Sequence, residues 1–102
     1  MSQNAVYFIS YKVKKATDKA QFVQATKTLR DGFVSKQAGY ISWQQMHNDD
    51  EWVDIITFDT DANLQGFLEA SKTPDQLAMD FYSHINLPSC KMRIYSTTPS
   101  LD

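Results

Sequence analysis

The order in which strand-like and helix-like apolar patterns follow one another along the chain most constrains its fold. Residues 5–15, 40–47, 51–58 and 90–96 have the apolar patterns of strands, and the two regions after the first and third of them repeat apolar residues at helical spacing. The resulting order is β-α-β-β-α-β. This order predicts a ferredoxin-like α+β fold, in which a four-stranded antiparallel sheet carries both helical regions on one face. The first and third strands are then expected at the centre of the sheet.

Local signals predict where the helices begin and end. Thr17 or Asp18 can cap the first helix, which is expected to run for about five turns, at 3.6 residues per turn, to a stop at Gly39. Its apolar stripe is formed by Phe22, Ala25, Leu29 and Phe33.

The second helical region contains a second start signal. Thr60 can cap its first part. Thr73 and Gln76 have capping-box spacing, and Pro74 lies where the first helical residue would be. The region is therefore predicted to break in two near Thr73, with its second part ending at residues 87–89.

Size and charge limit the classes of protein to consider. The 102 residues are 42% hydrophobic and 22% charged, which predicts one globular domain over residues 1–102 with its core in about 5–97. The net charge is −2 and no basic stripe is present, so nucleic acid is not an expected partner. No apolar run has membrane length and no signal segment precedes the first strand. Cys90 is the only cysteine, which fits a reducing compartment, and a cytoplasmic location is predicted.

Both faces of the predicted sheet carry apolar residues. Tyr7, Ile9, Tyr11 and Val13 form one face of the first strand, while Val6 and Phe8 lie on the other. The third strand has Trp52, Ile56 and Phe58 on one side and Val53 and Ile55 on the other. Because the helices cover one face only, the second face is expected to pack against a second copy of the sheet, which predicts a homodimer. A monomer with scattered surface apolar residues is the alternative.

The sequence resembles the antibiotic biosynthesis monooxygenase-like family of the dimeric α/β-barrel superfamily. The resemblance rests on residues 38–44 (AGYISWQ) at the start of the second strand, residues 51–60 (EWVDIITFDT) along the third, and residues 62–67 of the following helix. Together with the order of elements it covers about residues 5–97. It implies a homodimer with a central barrel and a small cavity in each subunit between the sheet and the helices.

The resemblance implies a cofactor-independent monooxygenase that acts on a small aromatic or quinol-like compound, without metal or flavin. Such an enzyme needs a dry aromatic pocket, a proton acceptor and a donor that holds the substrate anion. Tyr11 and His84 are the candidate catalytic residues. Trp43, Phe67 and Tyr82 are the candidate substrate-binding residues, and Phe67 occupies the helical position where related oxygenases have a tryptophan.

Other functions are compatible with the same scaffold. One alternative is a non-catalytic dimer that binds small molecules or serves in stress responses. A haem-degrading enzyme is less favoured, because His84 lies further along the chain than the expected iron ligand near Leu77. No metal is expected: the acidic residues 49–51, with Asp54 and Asp59, lack a known ligand spacing and are interpreted as solvated charge around a hairpin.

Overall fold

The computed structural model describes residues 3–98 and has the predicted ferredoxin-like architecture. Four antiparallel strands form one sheet in the order β2-β3-β1-β4, which places the first and third strands at its centre. The strands are β1 (Ala5–Val13), β2 (Tyr40–His47), β3 (Trp52–Phe58) and β4 (Ile85–Ser96). The helices are α1 (Lys19–Gly32), α2 (Asp61–Ala70) and α3 (Gln76–Tyr82), with a short 3-10 helix at Val34–Lys36.

The core lies between one face of the sheet and the helices, as the alternation along β1 and β3 predicts. Burial of large aromatic side chains is the main contribution to its stability. Phe22 of α1 is central: its ring stacks on Phe81 at 5.2 Å between centroids and meets the edge of Trp52 at 5.0 Å. The other large buried core residues are Tyr11, Leu29, Val34, Ile56, Phe58, Leu64, Phe67 and Ile85.

The first helix is shorter than predicted. It begins as expected, with the Asp18 carboxylate accepting a hydrogen bond from the N–H of Gln21, but it ends at Gly32 rather than near Gly39. Phe33 leaves the helical conformation, with φ −139° and ψ −61°. The change of direction buries Val34 and brings the ring of Phe33 to 6.2 Å from Phe67. Tertiary packing thus overrides the helical periodicity beyond Gly32.

The second helical region is broken as predicted, but its second start is different. Asp75, not Thr73, is the N-cap of α3, and its carboxylate accepts a hydrogen bond from the N–H of Ala78 at 3.0 Å. Pro74 therefore precedes the helix instead of occupying its first turn. Thr60 caps α2 as expected, accepting from the N–H of Asn63.

The last strand is longer than predicted, because residues 85–89 belong to it and not to the preceding helix. Val13 and Lys12 pair with Ile85 and Asn86, and the register shifts between Ser10 and Lys12. Next to Pro88, the N–H of Lys12 donates to the Ser89 hydroxyl at 2.8 Å. This irregularity lets a strand that contains proline stay paired at the sheet edge.

The sheet face away from the helices is apolar at its centre. The pairing register places Val6 and Phe8 of β1 beside Val53 and Ile55 of β3 on this face, and all four are half-buried. Met46 and Tyr95 extend the same face and are exposed. None of the helices within residues 3–98 combines the length and the apolar character needed to cross a membrane.

Candidate functional site

A cavity of about 90 Å³ lies between the inner face of the sheet and the helices. Its walls come from all four strands and all three helices and are mainly aromatic and aliphatic. The volume exceeds the roughly 30 Å³ that a water molecule occupies in the liquid but is below the roughly 150 Å³ of an engineered cavity that holds benzene. The enclosed part therefore holds one small ring at most, and a larger ligand must extend through an opening. The aromatic lining residues are Tyr7, Tyr11, Phe33, Trp43, Phe67, Phe81 and Tyr82.

The break between α2 and α3 forms the mouth of this cavity. Ser71, Thr73, Pro74 and Asp75 belong to the lining, and the last three are exposed to solvent. Tyr82 also lines the cavity and is 37% exposed. The linker therefore contributes solvent-exposed residues to the cavity lining. The helix break thus has a structural consequence for ligand access.

A buried carboxyl group is the main polar feature of the cavity. Asp54 of β3 lines it and is 1% exposed. The hydroxyl of Tyr11 on β1 donates a hydrogen bond to Asp54 Oδ2 at 2.8 Å, and Tyr11 is itself 1% exposed. Tyr11 thereby fixes the orientation of the carboxyl group. Because its proton is engaged in this bond, the Tyr11 hydroxyl serves Asp54 rather than a ligand.

A second hydrogen bond holds Tyr11 from the other side. The side-chain amide of Gln45 on β2 donates to the Tyr11 hydroxyl at 3.3 Å and to the hydroxyl of Thr26 on α1 at 3.0 Å. Thr26 in turn donates to the carbonyl of Phe22. The network links the sheet to α1 and leaves the Tyr11 hydroxyl hydrogen only one acceptor, Asp54.

Two buried polar atoms at the cavity have no hydrogen-bond partner within residues 3–98: Oδ1 of Asp54 and the indole Nε1 of Trp43. The Trp43 indole N–H acts on the Asp54 carboxyl group as a long, weak hydrogen-bond donor that lowers its pKa, although neither atom has a partner at normal hydrogen-bond geometry. An unpaired buried polar atom costs about 1–3 kcal/mol. The cavity thus presents an unpaired acceptor and an unpaired donor close together.

Burial controls ionisation in the cavity. Burial raises the pKa of Asp54 from 3.8 to about 6, although the hydrogen bond from Tyr11 opposes the shift. Burial, followed by the charge of Asp54, raises the pKa of Tyr11. Burial also raises the pKa of Tyr7 to about 12 and raises those of Tyr82 and Cys90. At neutral pH Asp54 is therefore a base among uncharged phenols and a thiol, and Asp75 at the mouth is the second carboxyl group of the lining.

The structure brings four of the five residues predicted for the site to the cavity: Tyr11, Trp43, Phe67 and Tyr82 all line it. His84 is not among the lining residues described. It lies in the turn after α3 rather than within a helix, and its ring packs against Phe22 with centroids 5.6 Å apart. Its carbonyl accepts hydrogen bonds from the backbone of Lys14 and from the Thr17 hydroxyl. His84 therefore joins β1 to the end of α3.

Sequence reasoning missed Asp54 and Gln45. Asp54 was interpreted as part of the solvated charge around the hairpin, and this is wrong because its side chain is buried in the core. The signal that reveals it is parity: Asp54 alternates with Trp52 and Ile56, so it must lie on the helix-facing side of β3. The same parity places Gln45 on that side of β2, two residues after Trp43.

Residues 3–98 contain no group of three or more His, Cys, Asp or Glu side chains placed to share an ion. The arrangement is instead suited to holding an apolar ring next to one carboxyl group. Such a carboxyl group can accept a proton, and the apolar walls limit the access of water to the products.

The fold and the cavity define a small antiparallel α+β protein with a single-ring pocket between sheet and helices. Neither a protein-family model nor a curated protein sequence matches the chain. Solved structures do share its fold. SnoaB, a cofactor-independent oxygenase from Streptomyces nogalater, has 12% sequence identity and a TM-score of 0.73, with 98% of each chain covered.

A second similar structure is a monooxygenase from the gene ActVA-Orf6 of Streptomyces coelicolor, in complex with the ligand Nanaomycin D. It has 11% identity and a TM-score of 0.73, covering 98% of this chain and 92% of the other. The fold resemblance to antibiotic biosynthesis monooxygenases that the sequence indicates is thereby confirmed.

Proposed function

We propose that this protein is a monooxygenase that acts on a small aromatic or quinol-like compound without metal or flavin. The observation that carries the proposal is the Asp54 carboxyl group, buried in an aromatic cavity with one oxygen held by Tyr11 and the other unpaired. The shared fold with a cofactor-independent oxygenase and with a monooxygenase bound to a small ligand supports the general class.

The proposed chemistry uses the substrate as the source of electrons. Asp54 accepts a proton from an acidic O–H or C–H of the bound ring, and the resulting anion donates electrons to O₂. For a phenol with a free para position, one oxygen atom becomes the new ring carbonyl of a quinone, and the other leaves as water with the hydroxyl hydrogen and the para hydrogen. A base with a pKa of about 6 is ionised at neutral pH and is well matched to this task.

Tyr11 is assigned a positioning role in this proposal. Its hydroxyl fixes Asp54 and stabilises the carboxylate form, while Trp43, Phe67 and Tyr82 provide the faces and edges against which a ring packs. His84 has no catalytic role in this proposal, because its ring packs against Phe22 and it is not among the residues described around the cavity.

The proposal includes a homodimer formed through the outer face of the sheet. Val6, Phe8, Val53 and Ile55 lie together there, and no helix within residues 3–98 covers them. Exposure of a large apolar side chain forfeits about 1.5–3 kcal/mol relative to burial, so a self-complementary sheet face is expected to pair. Sedimentation equilibrium should give twice the mass of the chain, and Phe8→Lys should give the monomer. A wild-type monomer at micromolar concentration would refute the dimer.

The catalytic proposal is tested by oxygen uptake with a panel of anthrones and hydroquinones. Wild-type protein should consume O₂ in excess of the uncatalysed rate, and Asp54→Asn should lower the rate by at least 100-fold, the typical contribution of a general base. Asp49→Asn, which changes an exposed carboxylate of the hairpin, is the matched control and should retain activity. Loss of activity in both variants, or in neither, would contradict the role of Asp54.

The same experiment addresses the alternative of a non-catalytic binding protein. If no compound of the panel supports oxygen uptake but several raise the melting temperature, the protein is a binder and the oxygenase proposal is wrong.

A further inference from the structure

We propose that Asp54 and Trp43 form a binding subsite for one neutral hydroxyl group of the ligand, which donates to Asp54 Oδ1 and accepts from Trp43 Nε1. The inference rests on the proposed function only in using the same cavity, and it adds the residues that select and orient the ligand. The observation behind it is the pair of unpartnered buried atoms, one acceptor and one donor, among residues that line the cavity.

The surroundings of Asp54 leave only one of its two oxygens, Oδ1, to accept a hydrogen bond from a ligand. Its Oδ2 already accepts the Tyr11 hydroxyl hydrogen, and Tyr11 cannot reorient because Gln45 donates to its oxygen. Oδ1 has no hydrogen-bond partner within this network. An ionised carboxylate oxygen accepts but cannot donate, so it requires an O–H or N–H from the ligand.

Trp43 supplies the complementary donor. Its indole N–H can donate but not accept, and burial of Nε1 excludes bulk water as a partner. The indole acts on the carboxyl group as a long, weak hydrogen-bond donor that lowers the pKa of Asp54, so a ligand that displaces this contact must satisfy both atoms. A hydroxyl oxygen carries both one hydrogen and free lone pairs, so a single hydroxyl satisfies both atoms. An ether satisfies only Trp43, and a methyl group satisfies neither.

The lining also disfavours anionic ligands. No Lys, Arg or His is among the residues described around the cavity, and Asp54 would repel a carboxylate. The subsite is therefore expected to select an un-ionised hydroxyl on an aromatic ring over both an isosteric hydrocarbon and an acid. An analogue that lacks the hydroxyl leaves both buried polar atoms unpaired. The cost of leaving them unpaired makes the site selective for the hydroxyl.

The test compares phenol with toluene, which replaces the hydroxyl by a methyl group of similar size, and with benzoate. Binding to the wild-type protein is measured by titration calorimetry under argon at pH 8, so that oxygen chemistry cannot interfere. Phenol should bind at least tenfold more tightly than toluene, although toluene is the more hydrophobic, and benzoate should not bind. Equal or weaker binding of phenol, or binding of neither ring, would overturn the inference.

Two conservative variants locate the effect. Trp43→Phe should reduce the preference for phenol over toluene to less than threefold. Asp54→Asn has a side-chain amide that can donate to a hydroxyl or an ether oxygen, so it should keep the preference over toluene but lower the preference for phenol over anisole to about onefold at pH 8. Trp52→Phe is the matched control, because Trp52 is buried against Phe22 and His47 but does not line the cavity. An unchanged preference in Trp43→Phe would refute the assigned donor.

The protonation state of Asp54 gives an independent readout with anisole, the methyl ether of phenol. When Asp54 is protonated it donates, and an ether can then accept from both residues. The preference for phenol over anisole should therefore be at least tenfold at pH 8 and fall to about onefold at pH 5, with a midpoint near 6. A preference that stays constant over this range would contradict the geometry.

The phenols and the thiol that line the cavity with Asp54 should not titrate in this range. They are Tyr7 and Tyr11 from β1, Tyr82 from α3 and Cys90 from β4, all with pKa values raised by burial; Asp75 at the mouth completes the titratable lining. Asp75→Asn should keep the pH dependence, whereas Asp54→Asn should abolish it. Oxygen uptake without a phenol preference would refute this subsite alone, and a phenol preference without uptake would refute only the oxygenase proposal.

Discussion

Replacement of Asp54 by asparagine should change the pH dependence of stability in a defined direction. The buried carboxyl group has a pKa of about 6 in the folded protein and about 3.8 when solvated. Since the folded pKa is the higher one, the folded state favours the protonated form. The contribution of Asp54 to stability is therefore fully present below pH 3.8 and is lost as the pH rises through 6.

The magnitude follows from the two pKa values. Their difference of about 2.2, at 1.36 kcal/mol for each pH unit, gives about 3 kcal/mol of lost stability above pH 6. Asp54 is 1% exposed, so screening by solvent does not reduce this value substantially. Asparagine keeps an oxygen that can accept from Tyr11 but cannot ionise. The variant should therefore become progressively more stable than the wild type as the pH rises from 4 to 7.5.

The assay is urea unfolding of both proteins at fixed protein concentration across this pH range. The difference in the free energy of unfolding, variant minus wild type, should rise by about 3 kcal/mol and level off above pH 7, because all other carboxyl groups cancel in the difference. Asp49→Asn should give a nearly flat difference. Parallel pH profiles for Asp54→Asn and the wild type would refute the claim that Asp54 is buried with a raised pKa.

Three further predictions concern stability, each measured by urea unfolding. Tyr11→Phe removes a hydrogen bond to a charged group, so it should cost about 1.5–3 kcal/mol at pH 8 and move the pH midpoint of the Asp54 effect upward; an unmoved midpoint would contradict the pairing. Gly39 has φ +80° and a Cβ there would press on neighbouring side chains, so Gly39→Ala should cost more than about 1 kcal/mol, whereas Gly66→Ala, in open space on a helix, should stabilise by about 0.5–1 kcal/mol. Phe22→Ala should cost about 3–5 kcal/mol, because its fully buried ring contacts three other aromatic residues; a cost below 1 kcal/mol would be inconsistent with that packing.

Much of the fold could be predicted because alternation and helical repeats are local properties of the chain. The order of elements, the central position of β1 and β3, and the inward face of Tyr11 all follow from residues close together in sequence. The errors fall where distant residues decide the backbone: α1 ends where Phe33 meets Phe67, and β4 begins early because Ile85 pairs with Val13.

The candidate site shows the same division. The family resemblance assigned Trp43, Phe67, Tyr82 and His84 to the pocket. The first three line the cavity and His84 is not among its lining residues, because the end of α3 depends on how the chain joins β4. Asp54 was grouped with its acidic neighbours along the chain, although its alternation with Trp52 and Ile56 already placed it on the helix-facing side of β3.

The amino-acid sequence by itself determined which residues turn toward the helices, because a strand alternates its side chains whatever it pairs with. Only the tertiary structure decided that Tyr11 of one strand reaches Asp54 of another at 2.8 Å and leaves its second oxygen beside the Trp43 indole. That proximity depends on the pairing register of three strands and on the burial that the helices impose, and neither is encoded within any single segment.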